Sequence, residues 1–232
     1  MIDIVIPFRF SPFTNSVELK YCLRSIEKHV RDVGTVWVIG DRPVYLRESS
    51  TCQWVPFLEK DWYQYLTRNI HNKLNIACIT DHVSDQFLYM NDDHFLLKDI
   101  EAETMPYYHS GNIWGGTGRY KITVASTLHK YPHANNFDIH TPMRIYKQLY
   151  KQSVALLDWK TPFGYAIKSS YCAHCEIVGR YYPDYKIDRK PIPEDFIDIL
   201  GLSMFSVGDK AVNRDMVEFL RTLYPYKSKY EI

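Results

Sequence analysis

The sequence lacks a long hydrophobic run, an excess of either charge and a framework of cysteines. No stretch of about 18 consecutive apolar residues, the length that a transmembrane helix needs, occurs in the chain. Asp3 and Arg9 interrupt the apolar N-terminal segment, which is not the pattern of a secretion signal. These absences predict a cytoplasmic protein.

The charge balance and the cysteines exclude further classes. The formal net charge is +1, so no overall field favours a polyanion. Five scattered cysteines are not typical of a secreted disulfide scaffold, and reduced thiols are expected. Residues 172–175 (Cys-Ala-His-Cys) have the spacing of half a zinc site or a redox pair, but no second pair completes four ligands.

The common glycine motifs for phosphate binding are also missing. Neither a Walker P-loop nor a G-x-G-x-x-G motif occurs. Residues 115–118 (Gly-Gly-Thr-Gly) are rich in glycine but do not follow a predicted strand, so a flexible loop is favoured over a phosphate cradle.

The first hundred residues alternate between strand and helix patterns. Apolar segments predict strands at residues 2–6, 35–39, 54–57 and 87–90, and apolar residues at helical spacing predict helices at about residues 16–30 and 65–79. Such a series predicts an α/β fold with a mostly parallel, Rossmann-like sheet and helices on both faces. After residue 100 the pattern predicts loops at residues 111–118 and 133–142, helices at residues 120–128 and 143–149, and an α-rich C-terminal part.

The most informative segment is residues 87–97, where two adjacent carboxylates interrupt an apolar run. Burying Asp92 and Asp93 at a strand end is unfavourable unless a cation or hydrogen-bond donors meet them. Mg²⁺ or Mn²⁺ holding a phosphate suits this pair, because these cations take oxygen ligands and leave positions for substrate. The alternative is an ordinary turn, since Asn and Asp are common turn residues.

Several residues share a position at the predicted carboxyl ends of strands. They are Pro7, Phe8, Arg9, Asp41, Asp92 and Asp93. Parallel α/β sheets bind ligands outside these ends, so the coincidence favours a metal–phosphate site over a simple turn.

The loop at residues 133–142 is dense in polar groups. His140 is a candidate metal ligand and Asp138 a candidate base, and the alternative for each is a hydrogen-bonded loop side chain. Arg144, Lys147 and Lys151 recur at intervals of three and four residues and predict a basic stripe on the following helix. The stripe is either a solvated helix face or a surface for an anionic acceptor.

Five segments together resemble a known family. Residues 3–7 (Asp-Ile-Val-Ile-Pro), 23–29 (Leu-Arg-Ser-Ile-Glu-Lys-His) and 87–93 (Phe-Leu-Tyr-Met-Asn-Asp-Asp) resemble GT-A-fold nucleotide-sugar transferases. Among these they are most similar to the Stealth-type capsular polysaccharide phosphotransferases. Residues 140–142 (His-Thr-Pro) and the closing residues 219–231 are similar to later motifs of that family. The chain is shorter than family members, as are phage-type relatives, and has Pro-Phe-Arg-Phe where they open with Trp-Val-Asp-Gly.

The resemblance implies one GT-A-like domain in which residues 1–100 bind a nucleotide diphosphate sugar and residues 101–232 bind the acceptor. Asp93 would bind the Mn²⁺ or Mg²⁺ that bridges the two phosphates, and Asp92 would meet the ribose or a metal-bound water. The other implied donor contacts are Pro7, Phe8, Arg9 and Asp41 at the base and ribose, Arg68 or Lys73 at the pyrophosphate, and Asn91. The implied base is Asp138 or, as second choice, Asp209.

Three functions remain open on this reading. The first is glycosyl transfer, which releases a nucleotide diphosphate. The second is sugar-1-phosphate transfer of the Stealth type, which releases a nucleotide monophosphate. The third is a non-catalytic nucleotide-sugar-binding module. The acceptor would be a surface polysaccharide, or a hydroxymethylated DNA base if the source is a phage, with Arg144, Lys147 and Lys151 as acceptor contacts.

Overall fold

The structure is a computed structural model that describes residues 1–59, 62–116, 118–161 and 163–232, without the side chains of residues 62–65. These residues form seven α-helices: α1 (Val17–His29), α2 (Trp62–Ile79), α3 (Gly118–Lys130), α4 (Lys147–Ala155), α5 (Ile167–His174), α6 (Pro193–Leu200) and α7 (Arg214–Leu223). They also form twelve strands: β1 (Ile2–Phe8), β2 (Val30–Arg31), β3 (Val33–Gly40), β4 (Cys52–Pro56), β5 (Gln86–Tyr89), β6 (His94–Leu96), β7 (Ile100–Glu101), β8 (Tyr108–His109), β9 (Met143–Tyr146), β10 (Arg180–Tyr181), β11 (Lys186–Ile187) and β12 (Met204–Val207).

Five strands form the central sheet in the order β4-β3-β1-β5-β9. The first four run parallel, and β9 pairs antiparallel with β5. The chain moves outward from β1 to β3 and β4, and then returns to the other side of β1 as β5. This reversal of strand order opens a crevice at the carboxyl ends of β1 and β5. The prediction of a mostly parallel α/β sheet is confirmed.

The central sheet is covered on both faces. Ile4 and Ile6 of β1 belong to a core that includes Leu220 of α7, whereas Val5 belongs to a second core that includes Leu74 of α2 and Tyr171 of α5. Successive side chains of a strand point to opposite faces, so a strand that is buried on both sides must be apolar throughout. This requirement explains the almost continuous apolar run of β1, in which every residue is buried.

A second sheet of three short strands lies in the order β11-β12-β6. Strand β6 follows β5 directly after Asp92 and Asp93, so the carboxylate pair joins the central sheet to this smaller one. Across the small sheet, Ser206 of β12 is in register with Lys186 of β11 on one side and with His94 of β6 on the other. The register therefore places three polar side chains beside the carboxylate pair.

One predicted helix is partly wrong. The sequence predicts a helix over residues 143–149, but Met143–Tyr146 is strand β9 and α4 begins at Lys147. Met143 and Ile145 are buried, and the strand pairs along β5. Tertiary pairing with an available strand edge has overridden the local helical pattern. In the predicted loop at residues 111–118, Thr117 lies outside the described residues.

The C-terminal segment is attached to α1 by an ion pair. Arg24 donates from Nε and Nη2 to the two oxygens of Glu231, at 2.7 and 2.9 Å. Ser228 donates its N–H and its hydroxyl to the same carboxylate. Two of the family-like segments therefore meet here and fix the position of α1, whose first turn reaches the crevice. None of the described helices combines the length and apolar character needed to cross a membrane.

Candidate functional site

A cleft of about 470 Å³ lies at the crevice formed by the carboxyl ends of β1 and β5. Many of the residues that the sequence predicts as site residues line it: Pro7, Arg9, Lys73, Asn91, Asp92, Asp93 and Asp209. They come from four parts of the chain, and the return of β5 beside β1 brings most of them together.

Further charged residues of the cleft were not predicted as site residues. They are Glu18, Glu59, Arg119, Lys186, Asp188 and Lys210. Glu18 lies in the first turn of α1, and Lys186 and Lys210 come from the ends of the small sheet. Their local sequences carry no recognisable motif, so only the tertiary structure identifies them.

Asp92 and Asp93 occupy the turn between β5 and β6, and the N–H of His94 donates to the carbonyl of Asn91 at 3.3 Å. The alternative of a turn is therefore correct as local structure, and the turn aims both carboxylates at the cleft region. Burial, followed by the charges of Asp93 and Glu18, raises the pKa of Asp92 well above its ordinary value. Within the described residues, the Asp92 carboxylate forms no ion pair, so its charged form lacks a counter-ion.

Asp93 has a different environment. Its Oδ2 accepts a hydrogen bond from the Ser206 hydroxyl at 2.9 Å and lies 3.4 Å from Nζ of Lys186. Burial acts to raise the pKa of Asp93, but Lys186, His94 and His140, together with Ser206, outweigh it and hold this pKa below its ordinary value. Asp93 is therefore the charged member of the pair, and Asp92 is the member that takes up a proton first.

His94 lies behind Asp93. Its side chain is 2% exposed, and burial lowers its pKa to about 3, so the ring is neutral at pH 7. Nδ1 accepts from the N–H of Asn91 at 3.4 Å, which leaves the proton on Nε2. Nε2 lies 3.9 Å from Oδ1 of Asp93, and both of these buried atoms are without a hydrogen-bond partner in the described structure. His94 therefore faces Asp93 from the protein interior without a hydrogen bond to it.

His140 reaches the site through Lys186. Its Nδ1 lies 2.9 Å from Oδ2 of Asp184, and its Nε2 lies 3.1 Å from Nζ of Lys186. An ammonium group only donates, so Nε2 is the acceptor and Nδ1 carries the proton that it shares with Asp184. Both ring nitrogens are thus engaged, which is not the arrangement predicted for a metal ligand.

Lys73 connects the ends of the first strands. Its buried ammonium donates to the carbonyl of Phe8 at 2.6 Å and pairs with Glu59. The Phe8 side chain is completely buried, so Phe8 supports the site through its carbonyl rather than its ring. Asp41 accepts from the N–H of Phe10 at 2.8 Å and thereby fixes the loop after β1. Neither Phe8 nor Asp41 lines the cleft.

Asp138 and Arg68 also lie outside the cleft lining. The two oxygens of Asp138 accept the backbone N–H groups of Lys168 and Ser169 at 3.1 and 2.8 Å, in the first turn of α5. A carboxylate in this position satisfies free N–H groups of the helix and complements its dipole. Asp138 therefore has the contacts of a helix cap, and of the two predicted bases only Asp209 lines the cleft.

The predicted basic stripe does not form one helix face, because Arg144 belongs to β9. Arg144 donates from Nε and Nη1 to the carbonyls of Met105 and Glu103, at 2.7 and 2.9 Å. Lys147 is buried and donates to the carbonyls of Thr80 and Val83. Two of the three cations are thus used within the fold. Lys151 of α4 is exposed.

The carboxylate pair fits a divalent cation that arrives with a phosphate ligand. Within the described ranges, no group of three or more His, Cys, Asp or Glu side chains is arranged to hold a metal. Asp92 and Asp93 supply two carboxylates, one of which lacks a counter-ion. Mg²⁺ and Mn²⁺ use one or two carboxylates and complete their coordination with water and substrate phosphates. The donor set therefore suits a metal–diphosphate complex.

Comparison of the sequence with protein-family models gives no match, and comparison with curated proteins gives no significant match.

Proposed function

We propose that this protein is a metal-dependent glycosyltransferase with a GT-A-like fold, which transfers a sugar from a nucleotide diphosphate sugar to an acceptor hydroxyl. The observation that carries the proposal is the position of Asp92 and Asp93. They lie where the strand order of a parallel sheet reverses, in a cleft that also contains Arg9, Lys186 and Lys210. Open α/β sheets bind their ligands at such a point.

The volume of the cleft and its charged side chains suit a nucleotide diphosphate sugar. Its volume of about 470 Å³ is within the range of small-molecule sites, about 300–1,000 Å³. Asp92 and Asp93 would hold Mn²⁺ or Mg²⁺, which when bound supplies positive charge to the diphosphate leaving group. Arg9, Arg119 and Lys210 would hold the remaining phosphate oxygens.

In the proposed reaction, the bond between the sugar C1 and the diphosphate oxygen breaks, and a bond forms between C1 and the acceptor oxygen. The electron pair of the broken bond stays on the diphosphate, and the cations of the cleft stabilise the charge that develops there. The acceptor hydroxyl loses its proton to Asp209, which lies exposed at the cleft. The surface of the cleft beside Asp209 is therefore the proposed acceptor side.

A thermal-unfolding assay tests donor binding. Nucleotide diphosphates with Mn²⁺ should stabilise the wild-type protein, because a ligand that binds only the native state stabilises it by mass action. At a concentration of about 100 Kd the gain is about 2.7 kcal/mol, which for a chain of this size raises the Tm by about 5–10 °C. Asp92→Asn and Asp93→Asn should lose most of this Mn²⁺-dependent shift.

The matched control is Asp188→Asn, which makes the same substitution in the same cleft without touching the pair. This variant should keep most of the shift. Equal shifts in all of the variants would contradict the metal assignment, and the absence of a shift with any nucleotide diphosphate would contradict the donor site.

Asp92→Asn provides a second signature. Burial, Asp93 and Glu18 raise the pKa of Asp92, so the folded state disfavours its ionised form. Stability is therefore lost as the pH rises from the ordinary pKa of Asp toward the raised one. At pH 8 the neutral Asn should raise the Tm of the ligand-free protein while it lowers the response to Mn²⁺ and diphosphate. A lower Tm in the ligand-free variant would indicate a structural role instead.

Product analysis then identifies the bond that breaks. Incubation with a nucleotide diphosphate sugar, Mn²⁺ and an acceptor should release the nucleotide diphosphate. Release of the nucleotide monophosphate would show that the linkage between the two phosphorus atoms breaks, which is the sugar-1-phosphate transfer of the Stealth type. Binding without any release would indicate a nucleotide-sugar-binding module.

A further inference from the structure

Among the residues that the structure describes, Lys186 is the cation in closest contact with the carboxylate pair. Its Nζ lies 3.4 Å from Oδ2 of Asp93 and 3.1 Å from Nε2 of His140, and its side chain remains 26% exposed at the cleft. Hydrogen bonds between ammonium and carboxylate groups are usually about 2.7–2.9 Å long. The longer separation indicates an ammonium that is held by charge, without a short hydrogen bond to Asp93.

The two acceptors of Lys186 are fixed from behind. Ser206 donates to Asp93 at 2.9 Å, and Asp184 holds the ring of His140 at 2.9 Å. Lys186 itself belongs to the short strand β11 and carries its charge on a flexible four-carbon chain with three donors. Of these groups, the Lys186 ammonium is therefore the one that can change partners without displacing a second residue.

We propose that Lys186 exchanges partners when the donor binds. In the ligand-free protein its ammonium neutralises Asp93, and in the complex it contacts a phosphate oxygen of the diphosphate, which leaves Asp93 free for the divalent cation. The inference rests on the proposed function, because it concerns the same donor site.

The exchange has a thermodynamic consequence. Oδ1 of Asp93 is buried against His94, so a divalent cation in the cleft meets Oδ2, where the charge of Lys186 repels it. A divalent cation alone must therefore displace Lys186. A diphosphate removes this obstacle, since it offers Lys186 a new partner of opposite charge. The metal and the diphosphate should therefore bind cooperatively, and each should raise the affinity for the other by the same factor.

The chain offers a matched control for this inference. Lys210 lines the same cleft, is exposed and forms no ion pair within the described residues. Lys186→Gln and Lys210→Gln change the net charge of the cleft equally, but only the first removes a cation from Asp93.

The experiment measures Mn²⁺ affinity without nucleotide, from the electron paramagnetic resonance signal of free Mn²⁺. Lys186→Gln should bind Mn²⁺ about fivefold or more tightly than the wild type, whereas Lys210→Gln should differ by less than about twofold. In the presence of Mn²⁺, Lys186→Gln should bind the best of UDP, GDP and ADP about tenfold more weakly than the wild type, measured by thermal unfolding. A purely structural lysine would not tighten metal binding when it is removed.

Lys186→Arg keeps the positive charge, so it serves as a second test variant if Lys186→Gln does not fold. The guanidinium forms a more favourable pair with a carboxylate, so Lys186→Arg should bind Mn²⁺ alone more weakly than the wild type. Equal effects of Lys186→Gln and Lys210→Gln on the Mn²⁺ affinity measured without nucleotide would overturn the exchange, as would Arg and Gln variants that shift this affinity in the same direction. If the wild type responds to a diphosphate while Lys186→Gln keeps wild-type Mn²⁺ affinity, only the exchange fails. If no diphosphate stabilises the wild type, the proposed function fails and the exchange fails with it.

Discussion

Replacing Arg24 by Met should destabilise the protein strongly, and Arg24 itself does not line the cleft. The Arg24 side chain is 10% exposed and that of Glu231 is 2% exposed, and the two make a bidentate pair between α1 and the C-terminal segment. Burial acts to raise the pKa of Glu231, but Arg24 and Ser228 hold it below its ordinary value, so the carboxylate is charged at pH 7. Without Arg24 this charge would remain buried, with Lys20, whose Nζ lies 3.8 Å from Oε2, as its remaining counter-ion.

The expected cost follows from this geometry. Removing one partner of a buried ion pair costs about 3–5 kcal/mol. The lower end applies here, about 3 kcal/mol, because Ser228 continues to donate two hydrogen bonds to the carboxylate. For a chain of this size, the Tm should fall by about 6–12 °C. The double variant, in which Glu231 also becomes Met, leaves no buried charge, so it should cost less than the sum of the single variants by about 2 kcal/mol.

Urea unfolding of the wild type, the two single variants and the double variant measures this coupling energy. Arg214→Met is the control, because the Arg214–Glu218 pair has the same chemistry but its side chains are 88% and 55% exposed. The control should lose less than about 0.5 kcal/mol. A coupling energy between Arg24 and Glu231 that is no larger than this would refute the reasoning, because it would give the buried pair the value of a surface pair.

Two further predictions concern residues away from the cleft. The pKa of His71, which is buried and stacked on Trp159, is lowered to about 4 from 6.5, so the unfolded chain binds its proton more readily. The contribution of neutral His71 to the free energy of unfolding should be fully present above pH 6.5 and should fall by at most about 3 kcal/mol as the pH drops to 4. Urea unfolding of His71→Gln should lack this part of the pH dependence. Asp138→Ala should lower stability by about 1–2 kcal/mol, as loss of a helix cap does. Its affinity for a nucleotide diphosphate should change by less than about twofold in a thermal-shift titration, and a large loss of affinity with unchanged stability would contradict the cap assignment.

The family-like segments have unequal roles in the structure. Residues 23–29 and 219–231 meet in the ion pair between Arg24 and Glu231, which joins two parts of the fold and lies outside the cleft lining. Only residues 87–93, together with the end of residues 3–7, reach the cleft. A sequence pattern marks both kinds of residue alike, because burial of an ion pair and binding of a ligand both restrict the side chain.

The sequence by itself determined the elements that depend on local periodicity. Strand β1, helix α1 and strand β5 were predicted within a few residues, because burial on both faces, or on one face of a helix, imposes a pattern on consecutive side chains. The position of Asp92 and Asp93 at a strand end was predictable for the same reason.

Only the tertiary structure decided which side chains meet at the cleft. Lys186 lies 93 residues from its partner Asp93 in the sequence, and the local sequence around neither residue predicts the contact. Asp138 caps α5 through backbone groups 30 residues away, and Met143–Tyr146 is a strand only because the edge of β5 is available. These outcomes depend on pairing energies between distant segments, and such energies exist only once the chain has folded.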